Sequence, residues 1–541
     1  MTALHDRLAT PAPATPPPAR RRRTTPPVVP VDPALPQPPS RREKAAYRHR
    51  RLPYLMVASA VSFTALTVSQ VLFVRMSPWL LLLLPLMAFT IAYYLVSLCV
   101  NLFTPDFDLD RHRRLVASWA PDEHPPVDVF LPVCGEAIDV LRNTWEHVAA
   151  MARHYPGPVH VYVLDDSATA EREAMALGFG FVYQRRPNRG WYKKAGNMRY
   201  AYQRTMGDFI LVLDADFTPR HDLLDELMPY FDAYPDVGIV QSPQYFRVHQ
   251  DQGWLERGAG AVQELFYRSV QVSRQHHEAA ICVGSCAVYR RTALDAIGGS
   301  TLIEHSEDVH TGFDMRRRGW RLRYVPVPLA TGLCPADVNS FFTQQYRWCA
   351  GSMSLLGSTK FWNTRMPVRQ RLSYLSGFFY YLHTALFTFV GPLIPILMLL
   401  VFPQYVKLSN YLLIAPSLVY NVVVFPSWHR CAYGFEAWTT KMIYGWSHAF
   451  AVWDLLRGQS MGWQPTGGTA RKNRTGRLWT GMAVWTAGSG IVWTLAAAYQ
   501  MVHTDLAAFA PAFLGGVFFL TIAMQALLVD PAKDLPAGGS R

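Results

Sequence analysis

The chain has 541 residues, 50% hydrophobic and only 17% charged, with 52 Lys+Arg against 39 Asp+Glu for a formal net charge of +13. A charged fraction below the ~25% usual for soluble domains argues against a purely soluble protein, and 29 Phe, 26 Tyr and 16 Trp exclude a wholly disordered one. The seven Cys form no C-x-x-C pair and no zinc set, so they read as free thiols facing a reducing cytosol.

Residues 1–51 hold eleven Lys/Arg, three acids and twelve prolines with almost no apolar periodicity, which predicts a disordered cytoplasmic tail. The run Arg20–Arg23 has no interleaved aromatics, so no nucleic-acid partner is expected. It reads as a solvated, topology-setting tail or as a contact with anionic lipid. Six later runs are long enough to cross ~30 Å of hydrocarbon. They are Leu52–Val74, Trp79–Val100, Tyr374–Phe402, Tyr411–Trp428, Leu478–Val502 and Ala507–Val529. Basic residues Arg41 to Arg51 precede the first, and Lys472, Arg474 and Arg477 precede the fifth, whereas only Arg75 and Lys407 lie in the short connections opposite. The positive-inside rule then puts both termini, and the large insert between the second and third spans, in the cytosol of a multi-pass protein of the plasma (inner) membrane. Ile443–Leu456 is too short to span and is expected as an interfacial helix.

The insert alternates short β-type runs with amphipathic helices, which predicts a mostly parallel α/β sheet. Val159–Leu164 ends in Asp165-Asp166, and Phe209–Leu213 ends in Asp214-Ala215-Asp216. In such sheets ligands sit beyond the carboxyl ends of strands, where both acidic clusters fall. Asp214 and Asp216 can grip a hard divalent cation together, or divide between a cation and a sugar hydroxyl, or belong to a solvated turn. Asp165 can accept from a base or ribose, or the pair can cap the turn that follows. Lys194 beside Gly196 can reach a phosphate. Glu307 and Asp308 open a helix-like stretch, where one can serve as a general base or both can simply oppose the helix dipole. In Gln344-Gln345-Tyr346-Arg347-Trp348, Arg347 suits phosphate oxygens, Trp348 offers a face for a pyranose ring, and the glutamines can bond sugar hydroxyls.

In this order the strings Pro132–Glu136, Asp165-Asp166, Lys194–Asn197, Asp214-Ala215-Asp216, Val283-Gly284-Ser285, Glu307-Asp308 and Gln344–Trp348 resemble the processive family 2 glycosyltransferases. That superfamily holds the cellulose synthases and the hyaluronan and chitin synthases. Gly319–Gly332 is similar to the cellulose synthase side. The resemblance covers about residues 127–356. It implies an integral membrane α-helical protein with a cytosolic α/β GT-A domain, a UDP-sugar donor and Mg²⁺ or Mn²⁺. It puts Glu136, Asp165, Asp166, Lys194, Asp214 and Arg347 at the nucleotide sugar, with Asp214 and Asp216 on the metal. Asp308, with Glu307 beside it, becomes the catalytic base. Gly284, Ser285, Gln344, Gln345 and Trp348 become the acceptor site. Met461–Gly468 resembles the cellulose synthases' gating loop, with Trp463 and Thr466 at its aromatic and threonine positions.

The organisation expected is therefore a tail (1–51), two transmembrane helices (52–103) and a catalytic domain with an interfacial helix (104–365). Four transmembrane helices with an interfacial helix and a gating-like loop at 457–477 follow (366–529), then a cytoplasmic tail (530–541). The activity expected is polymerisation of a UDP-sugar, UDP-glucose first, into a β-glycan secreted through the protein's own channel. Its partners would be the donor, the growing glycan and the bilayer, with accessory secretion subunits left open. The alternatives are a non-processive transferase acting on a lipid carrier and a synthase of an N-acetylglucosamine-containing polymer.

Overall fold

The structure is a computed structural model that describes residues 35–76, 78–101, 104–459 and 472–531. Ten strands are present among them: β1 (Val127–Val133), β2 (Val159–Asp165), β3 (Val182–Gln184), β4 (Phe209–Val212), β5 (Thr218–Pro219), β6 (Val237–Gln241), β7 (Gln244–Phe246), β8 (Ala287–Arg290), β9 (Arg321–Tyr324) and β10 (Ala330–Gly332). Seven form one sheet in the order β3-β2-β1-β4-β8-β6-β9, and β5-β10-β7 form a second. β4 and β6 are buried at every residue. Continuous apolar strands of this kind need cover on both faces, the α/β arrangement expected. The sheet is parallel except at β8, which runs antiparallel to both β4 and β6.

Parallel pairing brings the acids together. Val133 of β1 is in register with Asp165 of β2, and Phe130 of β1 with Val212 of β4. The chain therefore leaves β1 toward Glu136, β2 at Asp165 and β4 toward Asp214 on one edge of the sheet.

The helices that frame this edge are α1 (Leu52–Val74), α2 (Leu84–Asn101), α3 (Lys193–Tyr202), α4 (Gln271–His276), α5 (Glu307–Arg317), α6 (Val338–Leu356), α7 (Val368–Leu400), α8 (Phe435–Leu456), α9 (Lys472–His503) and α10 (Leu506–Leu528). Five helices among the described residues are long and apolar enough to cross a membrane: α1, α2 with its leading turn, α7, α9 and α10. The protein is a multi-pass membrane protein.

Three expectations are corrected. The fourth span, Tyr411–Trp428, is not one regular helix. It is a 3₁₀ turn (Leu408–Leu413), then Ala415–Val419, a π segment (Tyr420–Val424) and Phe425–Trp428. Pro416 and Pro426 each begin a new piece, because a proline has no N–H to continue the ladder. The segment expected as a short interfacial helix is the second half of the 22-residue α8. This helix is wedged between α6 and α7 by polar ties on both sides. Tyr346 Oη donates to Asp454 Oδ2 (2.8 Å), Ser447 Oγ donates to the Phe342 carbonyl (2.7 Å), and Thr384 Oγ1 lies 2.7 Å from His448 Nδ1.

The third correction concerns the tail, which is not wholly disordered: residues 35–51 lie along the α/β domain. Tyr47 is buried in its main core. Lys44 Nζ meets Asp222 Oδ2 at 2.7 Å, and Arg247 Nε meets Glu43 Oε1 at 2.6 Å. Arg50, 1% exposed, bonds Asp106 (3.0 Å) and Ser273 (3.0 Å). Composition misled here because one aromatic and a handful of ion pairs do this docking, and neither leaves a periodicity. Trp463 and Thr466 lie outside the described residues.

One buried pair joins these layers. Arg268 Nη1 donates to Glu264 Oε1 and to the Trp428 carbonyl (2.7 Å each), and Nη2 to the His49 carbonyl (2.8 Å). Arg268→Ala would leave the Glu264 carboxylate with only the backbone N–H groups of Arg430 and Cys431, a loss below the ~3–5 kcal/mol of a fully uncompensated buried charge. A clear drop in the melting temperature of the detergent-solubilised protein is expected, and an unchanged value would mean that the layers do not depend on this pair.

Candidate active site

The cleft is built from loops at the carboxyl edge of the sheet and from the starts of three helices. At its floor, Asp165 is fully buried, with Oδ1 accepting from the Ser167 N–H (2.7 Å) and Oδ2 from Tyr183 Oη (3.0 Å). Glu136 folds back so that Oε2 accepts from the Cys134 N–H (2.7 Å), and burial raises its pKa.

Asp166 has a different partner from Asp165. It is held from two sides by Arg186, with Nε to Oδ1 at 2.6 Å, and Arg186 also bonds the Trp191 carbonyl (2.6 Å) and the Lys193 carbonyl (3.0 Å). Asp166 therefore braces the loop leading into α3 through a buried arginine instead of facing the cleft as a free carboxylate. Sequence reasoning missed Arg186, for which the only signal was a basic pair twenty residues away.

Lys194, in the first turn of α3, reaches across to β4. Its Nζ contacts Asp214 Oδ1 (2.5 Å) and the Gly284 carbonyl (2.8 Å), with Glu307 Oε1 at 3.8 Å. Burial works against its charge, but Asp214, Glu307 and Asp308 outweigh this and raise its pKa. The backbone of Asp214 is fixed in turn, because its N–H donates to the buried Ser285 Oγ (2.9 Å). Asp216, beside it, is pushed up to about 7 by burial and by the Asp214 charge.

Glu307 and Asp308 open α5 after Ser306, which adopts a left-handed conformation (φ 53°). Asp308 lies over Gly284 (φ +73°), where a Cβ would come within 2.7 Å of Asp308 Oδ2. Only glycine combines that conformation with that clearance. Burial first, then the Glu307 charge, raises the Asp308 pKa to about 7. Ser306 Oγ donates to the Arg347 carbonyl (3.3 Å), and His310 Nε2 meets Ser354 Oγ (2.9 Å), so α5 and α6 are held side by side.

On α6 the faces divide. Gln345 and Trp348, one turn apart, line a cavity of about 430 Å³ that also takes in Asp308. Gln345 Nε2 is buried without a hydrogen-bond partner among the described residues. Arg347 points its charge elsewhere. Burial lowers its pKa while Asp214 and Glu307 oppose that effect, which puts it at the acidic corner with Lys194. Gln344 is not part of this cavity's lining. The cavity continues between the membrane helices, where Tyr93, Tyr380, Tyr420 and Tyr444 line it.

Residues 209–425 match the family described as Glycosyl transferase family group 2. The chain is 34% identical over 261 residues to a cellulose synthase 1 catalytic subunit (UDP-forming) of Komagataeibacter xylinus, covering 47% of this chain and 35% of that one. A cellulose synthase catalytic subunit (UDP-forming) of Xanthomonas axonopodis pv. citri is 32% identical over 268 residues, 48% of this chain and 36% of that one. The match thus spans about a third of the length of these relatives. Among solved structures, the mannosyltransferase PcManGT from Pyrobaculum calidifontis, in complex with GDP-Man and Mn²⁺, aligns with a TM-score of 0.47 at 16% identity. That alignment covers 68% of this chain and 98% of that one.

The raised Asp308 pKa has a consequence with a definite sign. Between its ordinary value of 3.8 and about 7, the carboxyl is protonated in the folded chain and ionised in the unfolded one. Its contribution to stability is full at the low end and is lost as pH rises. Asp308→Asn cannot titrate, so without ligands it should gain stability relative to wild type as pH rises through that window, then level off. Denaturation midpoints measured across pH would show the two curves diverging; parallel curves would mean that Asp308 is not shifted.

Proposed function

We propose that the chain is a membrane-embedded, processive, inverting glycosyltransferase that polymerises a UDP-sugar, UDP-glucose first, into a β-glycan. The glycan would leave through the cavity between the protein's own helices. The observation that carries this reading is the cavity itself. The cavity lined by Asp308 and Trp348 is lined also by residues of α1, α2 and α7, which supports a path for the product along tyrosine faces. The orientation proposed keeps the α/β domain and both termini on the cytosolic side of the inner membrane, where a nucleotide sugar is available.

Asp165, held by Ser167 and Tyr183, and Glu136 would meet the nucleotide. Asp214 and Asp216 are hard oxygen donors two residues apart, and burial together with the Asp214 charge forces Asp216 toward neutrality, so the pair fits a divalent cation. Among the described residues no group of three or more His, Cys, Asp or Glu side chains gathers around a common point. The donor's diphosphate oxygens would therefore complete the set around Mg²⁺ or Mn²⁺. When bound, the ion supplies Lewis-acid stabilisation of the diphosphate. Lys194 and Arg347 offer positive charge to the same leaving group, in a site where water is scarce and such charge counts most.

Asp308 Oδ would take the proton of the acceptor hydroxyl as that oxygen attacks the anomeric carbon, and UDP would leave from the opposite face. The pKa of about 7 keeps this base competent near neutral pH. Trp348 and Gln345 would hold the terminal sugar of the growing chain in line for that attack.

Asp308→Asn should lower sugar transfer by ~10²–10⁴-fold, the usual scale of general-base help, and leave UDP affinity unchanged. Radiolabelled sugar incorporation and UDP binding would be measured on the same preparation. Retained transfer would remove Asp308 from the mechanism. Trp348→Ala should keep donor affinity and lose elongation, with short products in place of a high-mass glycan on size-exclusion analysis. An unchanged product length would exclude stacking on Trp348.

A further inference from the structure

Arg274, on α4, is 5% exposed and lines the same cavity as Asp308. The other deeply buried arginines all have partners. Arg50 meets Asp106, Arg186 meets Asp166, and Arg268 meets Glu264. Arg274 differs. Among the described residues its side chain has no hydrogen bond and no ion pair, and its buried Nε has no acceptor. The ionisable groups that face it are Tyr381 and Tyr374 of α7 and Tyr93 of α2, all neutral phenols. A guanidinium removed from water without an anion is costly, and a fold does not ordinarily leave one so unless the partner arrives with a ligand.

The surroundings are shaped to keep the guanidinium there. Gly377 of α7 stands where a Cβ would collide with Arg274 Nη2, so the membrane helix omits its side chain at that level. Tyr381 is within electrostatic reach of both Arg274 and Asp308, which puts the guanidinium one tyrosine away from the carboxylate at the cleft. Whatever occupies the cavity next to Asp308 therefore passes a planar, fixed cation with donor capacity unspent.

We propose that Arg274 is an anion-binding subsite for the acceptor, and that the molecule occupying the cavity carries a carboxylate or a phosphate that pairs with it. This rests on reading the cavity as the acceptor's path and departs from a glucose-only product, because a chain built from glucose alone brings no anion to Arg274. The same chemistry can come from two sources. One is a uronic acid residue, delivered by a nucleotide-activated donor and retained in the growing chain. The other is the phosphate of a polyprenyl-phosphate acceptor entering beside α1, whose Leu52 and Leu55 line the cavity. Either anion can take two parallel N–H bonds from a guanidinium, which a neutral sugar hydroxyl cannot match.

The test is a binding comparison on the full-length protein in lipid nanodiscs, made with four probes. Cellobiose is compared with cellobiouronic acid, and a polyprenol with its polyprenyl phosphate. One anionic probe should bind at least about tenfold more tightly than its neutral counterpart, a difference of the size expected for a charge-assisted bidentate pair. The winning pair names the source. Arg274→Gln should abolish that preference while UDP affinity stays unchanged, and Arg274→Lys should restore part of it. Equal binding within both pairs by the wild-type protein would overturn the proposal, even if Arg274→Gln failed to fold, and so would a preference that survives in Arg274→Gln. UDP release is measured separately: its absence with every donor would strike the glycosyltransferase reading and leave the binding comparison to decide this one.

Discussion

The cleft depends on an electrostatic problem that the fold creates and only partly solves. Asp216 lies beside the Asp214 charge and Asp308 beside the Glu307 charge, where like charges repel and burial penalises ionisation of Asp216 and Asp308. Lys194 answers part of this, bonding Asp214 and lying near Glu307. The rest appears as carboxyls held near pH 7 at Asp216 and Asp308.

The second constraint is mechanical. The cleft and the helices keep one geometry through buried polar ties. Ser306 is anchored to the Arg347 carbonyl, Tyr346 to Asp454, and Thr384 to His448, so α5, α6, α8 and α7 form a continuous stack from the cleft to the membrane helices. The residues 35–51 close the other side through Tyr47 and Arg50. The cavity runs along this stack, and Arg274 and Gly377 meet within it because the α/β domain is fixed against α7.

Much of the site could be read from residue order. Acids that follow apolar strands emerge together whenever those strands are parallel neighbours, and Asp165 and Asp214 do. The aromatic and basic string of α6 was equally plain. What could not be read were partners chosen across the fold. Asp166 looked identical in kind to Asp165, yet Arg186 claims it. Gln344 looked equivalent to Gln345, yet one helical step of rotation separates the cavity face from its neighbour. The broken course of residues 408–428 was marked by Pro416 and Pro426, but its hydropathy concealed them.

Sequence by itself determined the layers: which stretches are apolar enough for a bilayer, which alternate as strands and helices, and which carboxylates fall at strand ends. These are local properties, set by the period and polarity of neighbouring residues. Only the tertiary structure decided which charges are paired and which are left facing a cavity. Asp165 and Asp166 were parted in this way, and Arg274 was separated from Arg50, Arg186 and Arg268. The reason is physical: desolvation and Coulomb energy depend on distances between residues far apart in the chain, and those distances exist only once the chain has packed.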